Sequence, residues 1–189
     1  MEQKTARITV LGGTGYAGSA IVKEASRRGH EVTSVSRSTP TKPLGGVSYI
    51  AGSVLDQEVI TQAVAERDVV FETLSPRGDM AGKVEGIVDT LISLTAGTRT
   101  RLGVLGGASS LLEKLKASPA DLDWFYVSPP AEFGAWAPAE ETGTYRLSDD
   151  VLLRDDTGRS NISAADLARA VLDEMEQPKH RRQRFHAAH

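Results

Sequence analysis

A cluster of glycines near the beginning of the sequence has the spacing of a phosphate-binding turn. The glycines are Gly12, Gly13, Gly15 and Gly18, and they directly follow an apolar run at residues 8–11. Such glycines let the chain leave a strand sharply, approach a pyrophosphate closely and pack a helix against the strand. The N–H groups that begin this helix, near Thr14, Tyr16 and Ala17, would face the phosphates with the favourable end of the helix dipole. The pattern predicts a dinucleotide-binding site; a glycine-rich turn without a ligand is the alternative.

Arg37 bears on which dinucleotide this site would bind. It follows the second predicted strand in Ser36-Arg37-Ser38-Thr39, where NAD-binding proteins usually carry a carboxylate for the ribose hydroxyls. A guanidinium flanked by hydroxyls suits a 2′-phosphate and therefore predicts NADP. A hydrogen bond to a charged group contributes about 1.5–3 kcal/mol, which corresponds to roughly a 10- to 100-fold preference for NADPH over NADH. The alternative is a solvated surface arginine. Arg77, after the fourth predicted strand, is either a contact for phosphate or substrate or a solvated loop charge.

The rest of the sequence supplies the elements that would position these residues. Apolar runs predict strands at residues 8–11, 31–35, 47–51, 68–74, 102–105 and 123–127. Helical spacing predicts a helix that ends at Gly29 and further helices at residues 57–65, 82–95 and 163–176. Strand–helix alternation predicts an α/β fold in one domain over residues 1–189, a Rossmann-type doubly wound parallel sheet with helices on both faces. Trp124 and Phe125 are expected in its core, and residues 129–160 are expected to form a small substrate lobe over the strand ends.

The loops after the strands are the expected walls of the site, because ligands of such sheets bind outside the carboxyl ends of the strands. The predicted cofactor contacts are Gly12, Thr14, Gly15, Tyr16, Ala17, Arg37, Ser38, Ser53, Val54, Leu74, Ser75, Pro76, Gly106, Gly107, Ser128 and Pro129. Ser109 or Ser110 is the candidate catalytic residue, since a hydroxyl there could polarise an acceptor oxygen. A serine that caps the following helix is the alternative. Phe133 and Trp136 are candidates for stacking a planar substrate.

Composition excludes several classes of function. The chain of 189 residues has a formal net charge of −3 and no cysteine, so disulfides and thiolate chemistry are excluded and a surface for nucleic acid or anionic lipid is not expected. The first residues lack an apolar signal core, so we expect a cytoplasmic protein, monomeric or homodimeric. A metal site at His186 and His189 is not expected, because no carboxylate lies nearby in the sequence. The basic run at residues 179–184 is interpreted as a solvated end.

Six segments together resemble one known family. They are GGTGYAG at 12–18, LGGASSL at 105–111, LDWFYVSP at 122–129, GTYRL at 143–147, NISAADLA at 161–168 and PKHRRQRF at 178–185. The sequence resembles the atypical short-chain dehydrogenase/reductases, in particular the NAD(P)H-binding and NADH–flavin reductase-like proteins, over nearly its whole length. The resemblance implies a Rossmann-type fold, a nicotinamide cofactor, and reduction of a flavin, quinone or similar planar acceptor.

The sequence departs from this family in three ways that bear on function. No tyrosine has a lysine four residues later, whereas most reductases of the wider superfamily use Tyr-x-x-x-Lys for proton transfer. A loop and helical stretch that the family usually carries after Leu112 is absent, and Ser53 stands where relatives often carry an acid. A flavin or quinone can take its proton from water, so reduction of such acceptors stays possible. A non-catalytic NADP-binding redox-sensing regulator is the alternative, and an epimerase or dehydratase of nucleotide sugars is less favoured because the chain is short.

Overall fold

A computed structural model of the protein describes residues 5–107 and 109–189. The strands are β1 Arg7–Leu11, β2 Glu31–Ser36, β3 Val47–Ala51, β4 Val69–Glu72, β5 Arg101–Leu105, β6 Trp124–Ser128, β7 Arg146–Ser148 and β8 Gln183–Ala188. The α-helices are α1 Tyr16–Arg27, α2 Gln57–Val64, α3 Val84–Thr95, α4 Ser109–Lys116 and α5 Ala164–Glu176, and a short 3-10 helix covers Gly78–Met80. No helix within the described ranges is long and apolar enough to cross a bilayer.

The strands form one sheet in the order β3-β2-β1-β4-β5-β6-β8-β7. Every described pairing is parallel except that of β7 with β8. The chain order runs outward from β1 in both directions, so the sheet is doubly wound, as predicted. The crevice expected for a ligand lies where this direction reverses, between β1 and β4.

Helices cover both faces of the sheet because its strands are apolar on both sides. Val10 and Phe125 belong to the core cluster under α1 and α5, while Leu11 and Trp124 belong to the cluster under α2, α3 and α4. Successive residues of a strand point to opposite faces, so strands such as β1 and β6 contribute to both clusters. The prediction that Trp124 and Phe125 pack in the core is confirmed, since both are buried.

The predicted ends of two helices are confirmed by their backbone geometry. Gly29 follows α1 with φ of +82°, the left-handed conformation of a glycine beyond a helix end. Ser163 caps α5, and its hydroxyl accepts a hydrogen bond from the N–H of Asp166 at 2.9 Å. The carboxylate of Asp166 in turn accepts hydrogen bonds from the N–H groups of Thr142 and Gly143, at 2.8 and 3.0 Å. These bonds attach residues 129–160 to α5.

The interpretation of residues 179–184 as a solvated end is wrong for its last part. Gln183 begins β8, which lies between β6 and β7, and Phe185 and Ala187 of this strand are fully buried. The antiparallel edge strand β7 is likewise absent from the prediction. His186 and His189 have different hydrogen-bond partners. Nδ1 of His186 bonds to the carbonyl of Ser128, and Nε2 of His189 bonds to the carboxylate of Asp166.

Candidate functional site

A cleft of about 910 Å³ opens at the carboxyl ends of the strands around β1 and β4. It is lined by the glycine turn, by the loops after β2, β3, β4 and β5, and by residues 129 and 133–136. This is the position at which doubly wound sheets bind their ligands.

The glycine turn has the geometry that its sequence predicts. Gly12 leaves β1 with φ of +81°, and its N–H donates to the carbonyl of Val35 at 2.9 Å. A Cβ on Gly18 would lie 2.1 Å from the carbonyl oxygen of Gly12, and one on Gly13 would lie 2.2 Å from Oγ of Ser34. Only glycine therefore lets α1 pack this closely against the turn and against β2.

The beginning of α1 fits an anionic group. Its N-cap residue is Gly15, which has no side chain to cap the helix, and the first turn contains no acidic residue. The N–H groups of Tyr16, Ala17 and Gly18 have no acceptor within the helix, and Tyr16 and Ala17 line the cleft. Free N–H groups and the positive end of the helix dipole together suit a pyrophosphate.

Arg37 lines the same cleft and forms an ion pair across it. Its Nη1 lies 3.0 Å from Oδ1 of Asp79, which belongs to the 3-10 helix after β4. Both side chains are largely exposed to solvent, at 76% and 56%. Sequence reasoning missed Asp79, because nothing local in the sequence relates it to a residue 42 positions earlier.

The loop after β4 is hydrogen-bonded to the backbone where β1 leads into the glycine turn. Oγ1 of Thr73 donates to the carbonyl of Leu11 at 2.7 Å. Oε1 of Glu72 accepts from the N–H of Leu74 at 2.5 Å, while its Oε2 has no hydrogen-bond partner among the described residues. Glu72 is fully buried, and this burial raises the pKa of its carboxyl to about 8. Sequence reasoning also missed this residue, whose only local signal is one acid at the end of the apolar strand Val69–Glu72.

Aromatic side chains from α1 and from residues 133–136 form a wall of the cleft. The rings of Tyr16 and Phe133 meet edge to face, with centroids 5.3 Å apart. Trp136 also lines the cleft and is 62% exposed. Gly134 has φ of +149°, and a Cβ there would lie 2.6 Å from Nε1 of Trp136. This glycine lets the indole fold back onto its own loop at the mouth of the cleft.

Most of the predicted cofactor contacts line this cleft, and a cofactor-binding role for each of them stays a prediction. Gly106 and Ser128 are not among the lining residues. Gly106 is buried instead against Tyr126, whose Oη would lie 2.3 Å from an added Cβ. Ser109 and Ser110 begin α4 and are not among the lining residues either, so a catalytic role for them also stays a prediction.

Comparison with known proteins agrees with the fold. A family model described as NAD(P)H-binding matches residues 12–102. The chain is 31% identical to YwnB of Bacillus subtilis (strain 168), an uncharacterized protein, over 95% of this chain and 96% of YwnB. That alignment spans 210 positions, more than the 189 residues of this chain. YwnB therefore carries residues without a counterpart in this chain.

Two solved structures share the fold over nearly their whole length. One, from Streptococcus pneumoniae TIGR4, is described as a "putative NADH-flavin reductase"; it is 27% identical with a TM-score of 0.85 and covers 97% of this chain and 99% of its own. The other, from Bacteroides thetaiotaomicron, is described as a "putative epimerase"; it is 28% identical with a TM-score of 0.83 and covers 98% of each chain.

Proposed function

This chain belongs to the NAD(P)H-binding family of Rossmann-type proteins, and we propose that it transfers hydride from NADPH to a flavin, quinone or similar planar acceptor. The observation that carries the proposal is that one cleft contains both a phosphate-binding turn and an aromatic wall. The description of the S. pneumoniae relative supports oxidoreductase activity.

The adenosine and pyrophosphate end of the cofactor is assigned to the glycine turn and the loop after β2. The beginning of α1 would hold the diphosphate through backbone N–H groups, which bind both dinucleotides equally. Arg37 is the cation that would contact a 2′-phosphate, so the preference for NADPH over NADH rests on this residue. Ser53 and Val54, after β3, line the part of the cleft where the adenine would lie.

The reacting end is assigned to the aromatic wall and the loops after β4 and β5. The bound nicotinamide would supply the hydride, and the protein would orient the two rings against each other. Among the four tyrosines, only Tyr16 lines the cleft within the described residues. Tyr126 is buried, and the hydroxyl of Tyr145 bonds to Asp173. A planar acceptor that draws its proton from solvent fits this site better than a ketone or a nucleotide sugar, whose reactions use a general acid or base, usually the tyrosine of Tyr-x-x-x-Lys in this superfamily, at the reacting oxygen.

A turnover assay with matched variants tests the proposal. NADPH oxidation is followed at the nicotinamide absorbance band with FMN, riboflavin and a quinone as acceptors. Trp136→Ala is expected to raise the KM for the acceptor roughly 2- to 12-fold, because an aromatic pair contributes about 0.5–1.5 kcal/mol. The Kd for NADPH should not change. Val151→Ala, another exposed apolar residue (68%) outside the cleft, is the matched control and should change neither constant.

Two results would overturn the proposal. Calorimetry that detects no binding of either dinucleotide would remove the cofactor assignment. Binding without turnover of any acceptor would favour the non-catalytic redox-sensing regulator instead. The cytoplasmic location and the monomeric or homodimeric state stay predictions.

A further inference from the structure

The ion pair between Arg37 and Asp79 joins two loops that lie on either side of the glycine turn. Arg37 follows β2 and Asp79 follows β4, and these strands are the two neighbours of β1 in the sheet. Both residues line the cleft, and their side chains meet at 3.0 Å. The pair therefore spans the cleft beside the turn, at the end where the adenosine ribose of a dinucleotide would lie.

Short local structure places Asp79 at this point. The N–H of Met80 donates to the carbonyl of Arg77, and that of Ala81 donates to the carbonyl of Gly78, each at 3.2 Å. Gly78 and Gly82 flank the turn with φ of +60° and +71°, left-handed conformations that favour glycine. This path of the backbone places Asp79 in the lining of the cleft.

The two nucleotides would meet this pair differently. A 2′-phosphate carries a charge of about −1.5 to −2 and needs the guanidinium that Asp79 already contacts. It would also approach a carboxylate of the same sign. A ribose 2′-hydroxyl, in contrast, donates a hydrogen bond to a carboxylate, which is the usual role of an acid in NAD-binding proteins.

We propose that Asp79 is a specificity-determining residue that opposes NADPH by competing with the 2′-phosphate for Arg37 and leaves NADH unopposed. This inference rests on the proposed dinucleotide site. The selectivity of the protein is then set by two exposed residues of opposite charge, and Asp79 reduces the preference that Arg37 alone would give.

The test compares two small probes that differ only in the phosphate at issue, adenosine 2′,5′-bisphosphate and AMP. Asp79→Asn should tighten the bisphosphate about three- to tenfold at low salt, the size expected for removal of one exposed like charge beside a phosphate. It should leave AMP within about twofold or weaken it, and the gain should shrink as salt screens the charges. In an Arg37→Gln background the gain should be smaller, because the competition is gone and only screened repulsion is left.

Asp89→Asn is the matched control. Asp89 has the same exposed fraction as Asp79, 56%, and pairs with Lys114 at 2.6 Å on the outer surface of α3. This variant should leave both probes unchanged. Melting curves of each variant check that the fold is kept.

The outcomes separate this inference from the proposed function. If the wild-type protein binds neither probe and neither dinucleotide, the cofactor site itself is wrong. If it binds them but Asp79→Asn changes both probes equally, or weakens the bisphosphate, Asp79 does not set the selectivity and only this inference fails.

Discussion

Replacing the buried carboxyl of Glu72 by an amide should remove a dependence of stability on pH. Glu72 lies at the end of β4, fully buried, with Oε1 accepting from the N–H of Leu74. Desolvation raises its pKa from 4.5 to about 8, and the hydrogen bond from Leu74 opposes this shift only in part. Glu72→Gln keeps the accepting oxygen and the volume of the side chain but cannot ionise.

The size of the effect follows from the two pKa values. Between pH 4.5 and 8 the folded protein holds a proton on Glu72 that the unfolded chain has released, so raising the pH favours unfolding. The neutral carboxyl makes its full contribution to the free energy of unfolding below the unfolded pKa of 4.5. This contribution is lost as the pH rises through the folded pKa of about 8. Each pH unit in this window costs about 1.4 kcal/mol. From pH 5.5 to 7.5 the wild-type protein should therefore lose roughly 3 kcal/mol relative to Glu72→Gln.

Urea unfolding of both proteins at several pH values between 5.5 and 8.5 measures this difference. Other titrating groups, including His186, are common to both proteins and cancel in the comparison. Glu72→Leu is the second variant: it lacks the acceptor for Leu74 and should cost about 1–3 kcal/mol relative to Glu72→Gln at every pH. A difference between wild type and Glu72→Gln that stays constant with pH would refute the reasoning.

Three further substitutions have expected outcomes that urea unfolding can measure. Gly18→Ala should destabilise the protein by about 1–3 kcal/mol and abolish dinucleotide binding, because its Cβ would lie 2.1 Å from the carbonyl oxygen of Gly12. Gly107→Ala is the control. A Cβ there would have no atom of the described residues within 4 Å apart from its chain neighbours, so this variant should stay within about 0.5 kcal/mol of wild type. Gly106→Ala should also destabilise, and Tyr126→Phe should restore part of the loss, since Oη of Tyr126 is the nearest obstructing atom at 2.3 Å; an unchanged loss in the double variant would contradict this packing. Asp166→Asn should cost roughly 2–3 kcal/mol at pH 7, because hydrogen bonds from Thr142, His189 and Ser163 outweigh burial and lower the pKa of Asp166 to about 2. That stability is present above the unfolded pKa of 3.8 and is lost as the pH falls toward 2, so a difference that persists at pH 2 would contradict it.

The parts of the site that the sequence predicts are those whose chemistry is local. The glycine turn can be predicted because the spacing of its glycines is typical of a phosphate-binding turn, and some of their close contacts are local, such as that of Gly18 with Gly12. Arg37 is predicted for the same reason, since it comes directly after a strand. The parallel, doubly wound sheet is also predicted, because strand–helix alternation implies right-handed crossovers, but alternation does not give the order of the strands.

The parts that the sequence does not predict depend on distant partners. The basic run at residues 179–184 indicates a solvated end, yet β8 forms because β6 and β7 flank it and Phe185 enters the core. The role proposed for Asp79 depends on its ion pair with Arg37, a residue 42 positions earlier. The consequence of an acid at position 72 likewise depends on neighbouring strands, which exclude water from it.

Affinity and selectivity in this cleft rest on structures of different kinds. The turn and the beginning of α1 are backbone features fixed by close packing, so in the proposed function they would bind the diphosphate of either dinucleotide in the same way. The proposed selectivity rests on Arg37, which is 76% exposed and already paired with Asp79. Exposed ion pairs contribute about 0–1 kcal/mol because water and salt screen them. The preference for NADPH should therefore lie at or below the lower end of the roughly 10- to 100-fold range expected for a charged hydrogen bond, and it should fall further with ionic strength while the binding of NADH changes little.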